Sequence, residues 1–169
     1  MGTKFSTRIW VGVVGIASIF WGSKGYADTV VSVADFGLKP DTRENAVAYV
    51  QKAIEACRGK EPVTLVFPEG RYDFWPQYAH EKNYYETNTY DVFPKRLAML
   101  FEGFHNITVD GNGSQFVMHD RIQPITVENC DGVTLKNFSI DWDIPLTAQA
   151  RVIKVGSDFF EIEINVLYH

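Results

Sequence analysis

The sequence is poor in the residues that would place it in several common classes. Two cysteines in 169 residues, Cys57 and Cys130, are too few for a disulfide scaffold. Cys57 falls on the inward stripe of a helical pattern and Cys130 at a strand–turn boundary, so both read as buried thiols. No Cys/His cluster has metal-ligand spacing. Positive charge is also scarce, with 16 Lys and Arg against 21 Asp and Glu. That balance argues against nucleic acid or an anionic membrane surface as a partner, because both select for basic protein faces. The one long apolar run, Ile9 to Trp21, has 13 residues, short of the roughly 20 that a membrane span needs.

That run sits in a recognisable arrangement. Lys4 and Arg8 precede it, and Gly25-Tyr26-Ala27 supplies small residues at the −3 and −1 positions of a cleavage point. Residues 1–27 read as a secretory signal peptide. The expectation is therefore an exported chain, periplasmic or extracellular, with no membrane span after cleavage. Without Lys4, Arg8 and Lys24, residues 28–169 carry 13 basic and 21 acidic groups, a net charge of −8. Such a charge suits a neutral substrate such as carbohydrate.

Along the remaining chain, Thr29 to Val33 reads as an opening strand, followed by Asp35-Phe36-Gly37 and a short loop. Asp41 to Arg58 is the one convincing helix. Asp41 and Glu44 have capping-box spacing, and Ala46, Val47, Val50, Ala53, Ile54 and Cys57 form one apolar stripe. Gly59 is placed to end the helix. Val63 to Phe67 and Arg71 to Trp75 are short strands around Pro68-Glu69-Gly70. Residues 76–96, with Tyr78, His80, Tyr84, Tyr85 and Tyr90, read as a long loop, a length that often marks function.

A repeat then begins. Asn106 to Gly111 and Asp131 to Asn137 share a polar, apolar, Thr, apolar, polar pattern, and Ile107 and Val133 lie 26 residues apart. Gln115 to Met118 and Pro124 to Val127 are strand candidates between them. Three short strands per repeat of this length is the period of a parallel β-helix, in which each rung buries its apolar face only by stacking on the next. Gly111, Gly113, Gly132, Asn106, Asn112 and Asn129 are placed for corners with positive φ. The 41–58 helix would cap the first rung. Ala148 to Val155 and Phe159 to Val166 alternate across Gly156-Ser157-Asp158 and read as an antiparallel hairpin. The expected organisation is a signal peptide at 1–27, the first part of a right-handed parallel β-helix at 28–146, and at 147–169 a hairpin opening an inserted β domain. The chain stops at Tyr168-His169 with no polar cap, so the expectation is the N-terminal portion of a longer protein.

Seven blocks carry a resemblance to a known family: Val33 to Gly37, Val66 to Phe74, Leu100 to Gly103, Thr108 to Ser114, Met118-His119, Gln123 to Ile125, and Ser139-Ile140-Asp141-Trp142-Asp143-Ile144-Pro145. On these the chain resembles glycoside hydrolase family 110, bacterial exo-acting α-1,3-galactosidases that remove terminal galactose, including that of the blood-group B antigen. The first and fourth blocks are generic to pectinase-like β-helices. Arg-Tyr-Asp-Phe and Ile-Asp-Trp-x-x-Pro are more specific. The resemblance implies an N-terminal β-helix with inserted β-barrel domains, hydrolysis with inversion and no cofactor. It also implies catalytic acids in later rungs, beyond His169, because family members are several times longer.

Inverting glycosidases set two carboxyl groups about 6.5–9.5 Å apart. Asp141 and Asp143, at i and i+2 of an extended segment about 6.5–7 Å along the backbone, are the best local pair. Trp142 between them has a face suited to a sugar ring, or to packing in the solenoid. The residues expected at a substrate wall are Asp141, Trp142, Asp143 and Arg121, with His119 either a hydroxyl partner or a satisfied corner residue. Two other functions remain open from the residues alone. One is another polysaccharide-active β-helix enzyme, polygalacturonase-like or a lyase. The other is a non-catalytic carbohydrate-binding adhesin.

Overall fold

The structure, a computed structural model, describes residues 29–83, 94–147 and 149–164. The expected signal peptide at 1–27, Tyr84, Tyr85 and Tyr90 of the expected loop, and the chain end at Tyr168-His169 lie outside the described residues.

Strands dominate. In chain order they are β1 (Thr29–Ser32), β2 (Val63–Val66), β3 (Arg71–Phe74), β4 (His80–Lys82), β5 (Lys95–Glu102), β6 (His105–Met118), β7 (Gln123–Glu128), β8 (Asp131–Trp142), β9 (Ala150–Val155) and β10 (Phe160–Ile164). One helix, α1 (Val47–Cys57), follows a 3-10 turn at Val33–Phe36. The β1, β2, β6 and β8 strands pair in that order, all parallel, with β3 parallel to the second half of β6. Equivalent positions form columns: Val31, Leu65, Val109 and Leu135 in one, Phe74, Met118 and Trp142 in another. β5 and β7 make a second parallel ladder, Met99 against Ile125 and Phe101 against Val127, with β4 added antiparallel to β5. β9 and β10 pair antiparallel with a bulge between Glu161 and Ile162.

The 26-residue recurrence is the register itself, since Ile107 pairs with Val133. β6 turns a corner at Gly111 to Gly113, and the β6–β8 register shifts between Asp110 and Ser114. Gly111 is required there because a Cβ would lie 2.5 Å from Phe138 Cβ and 2.7 Å from the Asn137 carbonyl oxygen. Such contacts are far inside van der Waals distance. The asparagines do take the left-handed conformation, with φ of 55° at Asn106, 49° at Asn112 and 51° at Asn129. Asn tolerates that region because its short polar side chain bonds locally.

The core is columnar and aromatic. Phe67, Tyr72, Phe74 and Phe116 are buried. Phe116 lies 4.8 Å from Phe67 and 4.8 Å from Phe138, centroid to centroid. Burial falls along each column, and Val109 is fully buried while its β8 partner Leu135 is 41% exposed.

α1 starts later than the sequence suggests, at Val47 and not near Asp41. Asp41 has φ 62° and Arg43 φ 58°, so neither continues a right-handed helix. Asp41 is committed elsewhere: its carboxylate accepts from the Arg71 N–H at 2.9 Å and its own N–H donates to the Arg71 carbonyl at 2.8 Å. Asn45 takes over the first turn, accepting from the Val47 N–H at 3.1 Å. The apolar stripe Val47, Val50, Ala53, Ile54 and Cys57 is buried, and α1 packs on β1, β2 and β5. Burial pushes the Cys57 thiol up to about 11. Cys57 and Cys130 are both free thiols. Among the described residues no helix is long and apolar enough to cross a membrane.

Candidate functional site

The parallel register decides which polar residues meet. Phe74, Met118 and Trp142 are column partners at the ends of β3, β6 and β8. Each is followed by a residue with a chemically capable side chain: Trp75, His119 and Asp143. The ladder continues past the strand ends, the His119 N–H donating to the Phe74 carbonyl at 2.9 Å and the Asp143 N–H to the Met118 carbonyl at 3.0 Å. Three side chains remote in sequence are thereby stacked one above another. The Trp75 and His119 rings lie 3.8 Å apart at an interplanar angle of 6°.

Beneath this column Arg71 and Asp73 project from β3. The Asp73 side chain is 0% exposed. It accepts from Arg71 Nη2 at 2.6 Å and Nε at 3.0 Å, and from His119 Nε2 at 2.8 Å. Burial alone would raise its pKa, but the hydrogen bonds from Arg71 and then His119 outweigh burial and hold the carboxyl below the usual range. Arg71 is held above its usual value chiefly by its hydrogen bond to Asp73. Arg71 Nη2 also reaches Asp143 Oδ1 at 3.4 Å.

These contacts set the imidazole. An ionised Asp73 only accepts hydrogen bonds, so His119 Nε2 carries the proton that points to it. The other nitrogen, Nδ1, faces Asp143 Oδ2 at 3.7 Å. That distance is too long for a direct hydrogen bond and leaves a place for a water that donates to both acceptors, or for a hydroxyl that donates its one hydrogen to either of them. Asp143 is 38% exposed and is the water-facing carboxylate of the group. Asp73 is buried and bonded to both Arg71 and His119, so it orients the imidazole.

The residues singled out from sequence separate. Asp143 joins the cluster. Asp141 is exposed, and its Oδ1 accepts from the Trp142 N–H at 2.8 Å, a local bond at the end of its own strand. Trp142 is half-buried and packs against the core as the third member of the Phe74–Met118 column. Its indole Nε1 is buried with no hydrogen-bond partner among the described residues. Arg121 is exposed and stands outside the cluster. His119 is the hub of the site. Arg71, Asp73 and Trp75 have the roles that sequence reasoning missed. The available signal was positional: each strand of the column ends in a large apolar residue followed by a polar or aromatic one.

A second ionic group closes the other ladder. Lys82 Nζ bridges Glu102 at 3.1 Å and Glu128 at 2.5 Å, and the two glutamates are register partners of β5 and β7. The bridge ties β4 to the ladder and is structural.

No family model matches the chain. Individual proteins do. The chain is 60% identical over 139 residues to alpha-1,3-galactosidase B of Bacteroides thetaiotaomicron, a match that covers 82% of this chain and 23% of that protein. It is 38% identical over 136 residues to alpha-1,3-galactosidase A of Shewanella woodyi, covering 80% of this chain and 22% of that one. It is 36% identical over 159 residues to an alpha-1,3-galactosidase B of Phocaeicola vulgatus, covering 92% and 25%. The chain spans about a quarter of the length of these relatives.

Proposed function

We propose that this chain, a homologue of the alpha-1,3-galactosidases, is the N-terminal part of an exported glycoside hydrolase that releases terminal α-1,3-linked galactose with inversion. The observation that carries the reading is the 60% identity to alpha-1,3-galactosidase B across 139 residues. Identity at that level over four-fifths of the chain supports the reading. Export rests on the pattern of residues 1–27. A right-handed parallel β-helix is the architecture that best accommodates two parallel ladders in which the β5–β7 and β6–β8 pairs recur at 24- to 26-residue intervals.

In this reading the Trp75–His119–Asp143 column is part of the wall of the sugar cleft. A sugar hydroxyl beside His119 Nδ1 and Asp143 Oδ2 donates its one hydrogen to either of these acceptors, which fits a neutral polyol. Asp73 and Arg71 hold the imidazole in the tautomer that leaves Nδ1 free to accept. The column offers one water-facing carboxylate, and inversion requires an acid and a base on opposite faces of the sugar. The family resemblance implies that the catalytic pair lies in the part of the relatives' length that this chain does not span. No cofactor takes part in this chemistry.

The test is to incubate the full-length protein with α-1,3-galactobiose and follow the anomeric protons by NMR. β-Galactose appearing first supports the reading. No release of galactose, or α-galactose appearing first, removes it.

A further inference from the structure

Glu44, Asn45, Ala48, Tyr49, Lys52 and Tyr78 line an open cleft of about 390 Å³ between α1 and the turn that leaves β3. That volume is within the roughly 300–1,000 Å³ of small-molecule sites. The cleft is distinct from the His119 cluster but shares its framework, because the 75–79 segment carries Trp75 into one and Tyr78 into the other.

Tyr78 is the informative residue. It has φ 67°, a strained conformation for a bulky L-residue. It stands third in a turn closed by the Ala79 N–H on the Pro76 carbonyl at 3.2 Å, a position where turns of this kind take glycine. Its side chain is not what holds it there, since Tyr78 is 75% exposed. The backbone is clamped from the helix instead. Gln51 Nε2 donates to the Tyr78 carbonyl at 2.8 Å and Asn45 Nδ2 to the Gln77 carbonyl at 3.0 Å. Asn45 Oδ1 accepts from the Trp75 N–H at 3.2 Å. The fold thus fixes a strained turn and shows a tyrosine ring to solvent, at a position where glycine would relieve the strain.

The other walls complement that ring. Tyr49 is half-buried and packs against the core. Glu44 and Lys52 are exposed, and among the described residues neither side chain is engaged in an ion pair. An unpaired carboxylate accepts from hydroxyls and an ammonium donates to them. Glu44 and Lys52 together carry no net charge and so select neither a polyanion nor a polycation, whereas a neutral ring with several hydroxyls bonds to both and lays its C–H face on a tyrosine.

We propose that this cleft is an auxiliary carbohydrate subsite for a pyranose unit of a neutral glycan. The proposal rests on the carbohydrate reading of the protein and adds to it a location separate from the His119 column. Titrating the protein with α-1,3-galactobiose while recording amide and tyrosine-ring NMR resonances tests it. Resonances of Tyr49, Lys52 and Tyr78 should shift, and Tyr78→Gly should weaken the affinity at least five-fold while melting no lower than wild type. Glu44→Gln, an exposed change with no packing consequence, should weaken it as well. Shifts confined to Trp75 and His119, an absence of any saturable shift, or unchanged affinity in Tyr78→Gly would each overturn the subsite. Release of galactose by the full-length protein is scored separately. Release with no binding in this cleft removes the subsite and leaves the functional reading standing.

Discussion

Replacing Asp73 with asparagine keeps its volume and removes its charge. Asp73 is 0% exposed and receives two nitrogens of Arg71 and one of His119. Removing one partner of a buried ion pair costs about 3–5 kcal/mol, because the other charge is left unpaired. Arg71 is 20% exposed and keeps Asp143 at 3.4 Å, so part of its charge returns to water and to that carboxylate. The cost therefore falls at the low end, about 3 kcal/mol. For a domain of this size that lowers the melting temperature by about 9 °C. The pH dependence is the sharper readout. The folded pKa of Asp73 is depressed, so its stabilisation is fully present above the unfolded carboxyl value of about 3.9 and is lost as pH falls through the folded value. Urea melts of the wild type from pH 7 down to pH 3 should show that acid limb, and Asp73→Asn should flatten it. A loss under about 1 kcal/mol at pH 7, or an acid limb unchanged in the variant, would refute the claim that Asp73 is an ionised anchor.

Three further outcomes follow from the packing and the site. Gly111→Ala forces a Cβ to within 2.5 Å of Phe138 Cβ and should cost about 1–3 kcal/mol in chemical denaturation. Phe116→Ala empties the centre of the aromatic column between Phe67 and Phe138 and should cost about 3–5 kcal/mol. Asp143→Asn removes a half-exposed carboxylate from the cleft wall. It should lower kcat/KM of the full-length protein for α-1,3-galactobiose about ten- to hundred-fold, the equivalent of about 1.5–3 kcal/mol for a hydrogen bond to a charged group, while leaving the thermal melt within a degree or two.

The local elements were legible because their signals are local. The stripe of Val47, Val50, Ala53, Ile54 and Cys57 marks a helix whatever surrounds it, and the repeated Asn-Ile-Thr-Val and Gly-Val-Thr-Leu segments are the strands that pair through Ile107 and Val133. The helix start was misjudged because Asp41 carries the chemistry of a cap but spends it on the Arg71 backbone, 30 residues away. The site was harder for the same reason. Asp73 and His119 are 46 residues apart, and only the register of Phe74 against Met118 brings them together. Nothing in the composition of either segment announces that register. The pair Asp141 and Asp143 looked symmetric in sequence, but the strand ends at Trp142, so Asp143 turns into the column while Asp141 bonds to its own neighbour.

The account turns on whether the column at the ends of β3, β6 and β8 touches the sugar. The direct measurement is kcat/KM for galactose release from α-1,3-galactobiose by the full-length protein, wild type beside His119→Ala. The account predicts release by the wild type and a loss of at least ten-fold in the variant, with the variant still folded by circular dichroism. Equal kcat/KM for the two proteins, or no release by the wild type, would contradict it.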